Sequence, residues 1–190
     1  MKRRNSVKRI ILTSAGFENK SIEQKFLDMA HKPPDEIKAL WIPTAAIDEE
    51  AKAILPKCMN DLLNAGILPR NITAYNLDCE MSLKELYSFD AVYVCGGNTG
   101  YLLDKMYEAD FVPLLKSFIN QGGIYIGVSA GSCVCANELE DNLGFLPYKL
   151  SVHCEEGSAP GSIDSKNCFH INLTNNQAVI IEDEKCYVFE

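Results

Sequence analysis

The stretch Gly123-Ile124-Tyr125-Ile126-Gly127-Val128-Ser129-Ala130-Gly131-Ser132 decides how the rest of the chain is read. Ile124 to Val128 is a short apolar run with β-branched and aromatic residues, the length of a buried strand. It leads straight into Gly127-Val128-Ser129-Ala130-Gly131, and Gly-x-Ser-x-Gly between a strand and a helix is the pattern of a nucleophile elbow. A turn tight enough to project the serine hydroxyl above the sheet edge strains the serine backbone, and the flanking glycines leave room for that approach. A helix N-terminus just beyond favours developing negative charge. Such a pattern also arises by chance in small-residue turns, so its surroundings must decide.

Those surroundings alternate strands with helices. Strands are expected at Val7 to Thr13, Ile37 to Ile42, Ile72 to Leu77 and Ala91 to Cys95, with later ones at Tyr148 to Val152, Ala178 to Ile181 and Cys186 to Phe189. Helices are expected from Ser21 (as N-cap) to Ala30, from Glu49 to Ala65, from Ser82 (as N-cap) to Tyr87, through Leu102, Leu103 and Met106, from Val112 to Asn120, and from Ser132 to Glu138. Pro56 predicts a kink or break in the second of these, and Gly66 suits its C-terminus. Apolar strands separated by helices imply an α/β three-layer sandwich with a mostly parallel sheet, and 190 residues suit one domain, 1–190. Ligands of such sheets bind at the carboxyl ends of strands. Two Gly-rich loops, after Cys95 and after Val128, fall there.

Composition narrows the function. A net charge of −8 argues against nucleic acid or an anionic membrane surface as partner. Lys2-Arg3-Arg4 precedes no signal-peptide core and no apolar run approaches membrane-spanning length, so a cytoplasmic protein is expected. The eight cysteines form no Cys-x-x-Cys and read as free thiols rather than disulfides or a zinc site. Cys133 and Cys135 lie past the elbow, poorly placed as nucleophiles.

A serine nucleophile needs a base, and the histidines are His31, His153 and His170. His31 lies at a helix end before Pro33-Pro34. His153 follows a strand-like run twenty-four residues after Ser129 and can return to a neighbouring strand end; His170 could line the same region. His153 ranks first. For an oxyanion, the amide of Ala130 supplies one donor by position and Gly97 could supply the other. Gly96-Gly97-Asn98-Thr99 reads equally as a strand-to-helix turn with Asn98 or Thr99 as N-cap, or as an anion site, although it matches no dinucleotide fingerprint or P-loop.

Three motifs in order, Leu12-Thr13-Ser14-Ala15-Gly16-Phe17, Gly96-Gly97-Asn98-Thr99 with Leu102-Leu103, and Gly127-Val128-Ser129-Ala130-Gly131-Ser132, resemble the peptidase E family. These are cytoplasmic aspartyl dipeptidases, serine peptidases with a class I glutamine amidotransferase-like fold. The resemblance implies Ser129 as nucleophile, His153 as base, oxyanion or substrate contacts at Gly97, Ala130 and Asn98, and hydrolysis of dipeptides with N-terminal aspartate without metal or cofactor. The third triad member would come from the acids between nucleophile and base, Glu138, Glu140 or Asp141, with Asp141 preferred. Two departures stand out. The segment Cys154 to Phe169 holds no Arg where relatives carry an Arg-rich helix, and Asn175 lies where they tend to place an acidic residue. The leading expectation is a serine peptidase acting on small peptides, with a possible homodimeric assembly. The alternatives are an inactive small-molecule-binding homologue, or an esterase or amidase using the same Ser–His pair.

Overall fold

The computed structural model describes residues 8–163, 166 and 168–190. In chain order the elements are β1 (Arg9–Thr13), α1 (Lys20–Ala30), β2 (Ala39–Ile42), α2 (Glu49–Asn64), β3 (Ile72–Ala74), α3 (Leu83–Leu86), β4 (Ala91–Val94), α4 (Thr99–Glu108), α5 (Phe111–Asn120), β5 (Ile124–Val128), α6 (Ala130–Cys133), β6 (Lys149–Ser151), β7 (Gly161–Ser162), β8 (His170–Asn172), β9 (Ala178–Glu182) and β10 (Lys185–Phe189). Eight strands form one sheet in the order β3-β2-β4-β5-β1-β9-β10-β7. The first five in that order are parallel, and β9, β10 and β7 add an antiparallel margin. β6 and β8 pair in a small parallel ladder of their own.

The three layers follow from strand alternation. Ile10 and Leu12 of β1, with Val92 and Val94 of β4, enter one apolar cluster with Leu102, Met106, Leu115 and Ile119 from α4 and α5. Ile11, Tyr93, Ile124 and Ile126 face the other, with Ile22 and Phe26 of α1 and Leu62 of α2. Successive side chains point to opposite faces, so a strand apolar at every position must be covered on both.

Local chemistry explains where elements depart from expectation. Ser21 does not cap α1: Asn19 does, its side chain accepting the Ser21 N–H at 2.9 Å, so the cap lies two residues earlier. Ser82 caps α3 through a complete capping box with Glu85. α2 runs unbroken through Pro56, which sits on its exposed side where water can meet the freed carbonyl. α6 is a single turn rather than a helix to Glu138. Its continuation is pre-empted because Leu143 and Leu146 donate their N–H groups to the carbonyls of Val134 and Cys135. Of the expected first strand, Val7 lies outside the described residues.

Registers bring three strand ends to one edge. Thr13 pairs with Val128, Val94 with Gly127, and Thr13 with Ala178 on the antiparallel side. The loops leaving β1, β4 and β5 and the turn entering β9 therefore meet around Ser129.

Candidate active site

Ser129 has φ 50° and ψ −107°, an arrangement L-residues rarely adopt. The motif's glycines make it possible. A Cβ on Gly127 would lie 2.4 Å from the carbonyl oxygen of Gly131, and one on Gly131 would lie 2.4 Å from that of Val94. Both positions are closed to side chains because α6 turns back directly over β5 and β4. The turn is tied down from β1: Thr13 O accepts the Ser129 N–H at 3.0 Å and the Ser132 hydroxyl at 2.7 Å. Ser132 Oγ also lies 2.8 Å from Gly127 O, and its side chain is fully buried. With the backbone so held, the half-buried Ser129 presents its hydroxyl to a cavity.

His153 meets it there. Its Nε2 is 3.0 Å from Ser129 Oγ. The residue follows β6, has a left-handed φ of 58°, and its backbone N–H is accepted by Ser14 Oγ at 2.6 Å. Cys154 N–H bonds to Leu173 O and Leu173 N–H to Ser151 O, so the segment is braced on both sides of the histidine. The other ring nitrogen, Nδ1, faces Asn175 Oδ1 at 2.9 Å and Ser14 Oγ at 3.4 Å. Ser14 Oγ in turn lies 3.2 Å from Asn175 Oδ1.

Asp141, expected as third triad member, is not brought to this ring. It is exposed beyond α4, where its carbonyl accepts the Tyr107 hydroxyl at 2.9 Å and its residue lines a separate hollow with Glu140 and Leu103. The reason is topological: the segment after α6 packs back against α4, while the turn before β9 is delivered to the strand end beside β1. Glu138 lies on the same excursion, and neither Glu138 nor Glu140 lines the Ser129 cavity. The group at Nδ1 is a neutral amide.

Gly97 has φ 139°, and a Cβ there would lie 2.1 Å from Ala45 O, so only glycine lets this loop pass beside the β2 loop. It lines the cavity together with Gly96. Ala130 opens α6, so its N–H belongs to the first turn of a helix, which finds no acceptor within the helix itself. Asn98 acts as a helix cap: its Oδ1 accepts the Tyr101 N–H at 2.9 Å at the start of α4. It does not line the cavity.

The cavity has a volume of about 460 Å³. One wall is the face of α2 carrying Ala51, Ile54, Leu55 and Cys58. Glu18, Asp48, Glu50 and Asp61 also line it, and Lys57, the one cation among the described lining residues, is ion-paired with Glu18. Asp61 is buried; its carboxylate accepts from Tyr93 Oη at 2.6 Å and Phe17 N–H at 3.0 Å. Burial holds its pKa above the ordinary carboxylate value despite those donors.

The remaining candidates fall elsewhere. His170 bonds Ser151 Oγ at 2.8 Å on the β6–β8 ladder, and His31 closes α1 in a left-handed conformation. None of the eight cysteines is in a disulfide. Burial pushes the Cys133 thiol up to about 11 and Cys135 further up, the opposite of an activated nucleophile. Reading residue by residue missed two members of the site. Ser14 stands in the sequence only within the Leu12-to-Phe17 motif with no role of its own, and Asp61 is a lone acid in a helix of mixed composition.

The description "Peptidase family S51" matches residues 10–151, a span ending two residues before His153. The chain is 29% identical over 127 residues to an uncharacterized peptidase of Pasteurella multocida strain Pm70, covering 67% of this chain and 59% of that protein. It is 27% identical over 135 residues to peptidase E of Shewanella amazonensis, covering 64% and 56%. The chain thus spans less than three fifths of the length of these two relatives. Among solved structures, a protein of Listeria monocytogenes EGD-e proposed to be peptidase E superposes with a TM-score of 0.74, at 20% identity, over 97% of this chain and 98% of that one. A peptidase from an acI-B1 Actinobacterium gives 0.67 at 14% identity, over 97% and 88%. The structural likenesses establish the shared fold, and the sequence match along three quarters of the chain establishes more: this chain belongs to peptidase family S51.

Proposed function

We propose that the chain hydrolyses small peptides through an acyl-enzyme on Ser129. The observation carrying this reading is the 3.0 Å approach of His153 Nε2 to the hydroxyl of a serine held at φ 50° above the sheet edge. His153 takes the Ser129 proton as Oγ attacks the peptide carbonyl, and the N–H groups of Ala130 and Gly97 stabilise the oxyanion. The imidazolium then gives its proton to the leaving amine. Water, activated by the same ring, releases the acyl group.

The cavity suits a short peptide with a free amino terminus. Asp48 and Glu50 are exposed carboxylates on its rim that favour an α-ammonium, and the apolar face of α2 lies beside them. A preference for N-terminal aspartate would rest on Lys57, which would exchange Glu18 for the substrate carboxylate. Because Asn175 carries no charge, the imidazolium forms without an adjacent carboxylate, and slow turnover is expected.

A fluorophosphonate probe, followed by a panel of Asp-X, Ala-X and Lys-X dipeptides and simple esters, tests the reading. Labelling of Ser129 with dipeptide turnover, both lost in Ser129→Ala, supports it. Folded protein that takes up no label favours a non-catalytic binder. Turnover of esters with none of dipeptides favours an esterase.

A further inference from the structure

Ser14 is fully buried, so the one proton of its hydroxyl must find an acceptor within the protein. Its oxygen already accepts the His153 backbone N–H at 2.6 Å. Two further polar atoms surround it: Asn175 Oδ1 at 3.2 Å and His153 Nδ1 at 3.4 Å, themselves 2.9 Å apart. Only one distribution of protons uses each donor. Ser14 O–H donates to Asn175 Oδ1, His153 Nδ1–H donates to the same oxygen, and Ser129 O–H donates to His153 Nε2.

Turning the Asn175 amide over breaks this arrangement. Its NH₂ would then point at Nδ1 and at a Ser14 oxygen already accepting from His153. The Ser14 proton would be left with only Nδ1, which the amide would already occupy. Nδ1 would become the acceptor, Nε2 would carry the ring proton, and the ring could not take a proton from Ser129. A carboxylate at position 175 would present an oxygen in either orientation and would need no such control; an amide does.

We infer that Ser14 is a positioning residue whose hydroxyl orients the Asn175 amide, and thereby fixes His153 in the tautomer with Nε2 free to accept the Ser129 proton. The inference rests on the Ser129–His153 reading above, but the ring tautomer can be measured without turnover, so the two fail separately.

The test is ¹⁵N-histidine NMR of the full chain near neutral pH, with His31→Gln and His170→Gln used for assignment. His153 in the unsubstituted protein should be protonated at Nδ1, and Ser14→Ala should shift population to the Nε2-protonated form. In dipeptide hydrolysis, Ser14→Ala should lower kcat at least about 10-fold with KM within about 2-fold. Asn175→Asp added to Ser14→Ala should restore most of that loss, which a packing defect at Ser14 would not allow. An Nε2-protonated ring in the unsubstituted protein overturns the inference, as does an unchanged tautomer in Ser14→Ala or a loss that Asn175→Asp leaves in place. Should Ser14→Ala fail to fold, the tautomer of the unsubstituted protein decides by itself. An inactive protein with an Nδ1-protonated His153 would count against the hydrolase and leave the positioning role standing.

Discussion

Ser14 and His153, 139 positions apart, are joined at two points: the serine oxygen accepts the histidine backbone N–H at 2.6 Å and lies 3.4 Å from its Nδ1. Ser14 directly follows β1, whose neighbour β5 ends just before Ser129. His153 is thus referenced to the same rigid strand pair as Ser129, although it arrives on a loop. That coupling gives the Ser–His distance its definition in a chain where the histidine itself is exposed.

If Asn175 rather than Asp141 stands behind the base, removing the Asp141 charge is silent. Asp141→Asn should leave kcat and KM for any hydrolysed dipeptide within about 2-fold, since surface substitutions away from a site seldom matter. A 10-fold fall in steady-state kcat would restore Asp141 to the machinery.

Gly97→Ala should be costly twice over. The methyl would meet Ala45 O at 2.1 Å, and φ 139° is strained for any L side chain. A loss of about 1–3 kcal/mol in urea unfolding is expected from the backbone strain alone, with activity falling further than stability as the proposed oxyanion donor moves. Hydrolysis within about 2-fold of the parent at full stability would remove Gly97 from that role.

Lys57 separates substrate preferences. Lys57→Met should raise KM for Asp-X dipeptides about 10-fold while leaving Ala-X within about 2-fold, if the ammonium binds the aspartate carboxylate at a cost typical of a partly exposed charge-assisted contact. Equal effects on both substrates in initial-rate kinetics would mean that Lys57 serves only its ion pair with Glu18.

Asp61 sets a pH dependence of stability. Burial raises its folded pKa above the ordinary 3.8, so the folded state binds the proton more tightly than the unfolded chain. The stabilisation it confers is full below that ordinary value and is lost as pH rises through the raised folded value. Asp61→Asn keeps an oxygen for the Tyr93 hydroxyl and Phe17 N–H but does not titrate. Its stability relative to the parent should therefore improve between pH 4 and pH 7 in urea unfolding, and a constant difference across that range would contradict the assignment.

Much of this was written in local sequence. The apolar run Ile124 to Val128 could only be a strand covered on both faces, and Gly127 and Gly131 announced a turn where backbones touch. Ser82 declared a helix start through short-range capping, while the Gly96-to-Thr99 turn left Asn98 and Thr99 both open as caps and Asn98 expected also as a substrate contact. That His153 would meet Ser129 was within reach of local reasoning because the chain has only three histidines.

The group facing His153 Nδ1 was not. Asp141 is closer to His153 along the chain, but chain distance says nothing about which side of the sheet edge a loop returns to. That depends on β9 pairing antiparallel to β1, with Ala178 opposite Thr13, which sets the turn containing Asn175 beside Ser14. Residue types and their spacing determined the elbow and the layers, because elbows, caps and buried strands are made by neighbours. Only the tertiary structure decided which groups face the His153 ring and which charges line the cavity, because those are set by strand order and register.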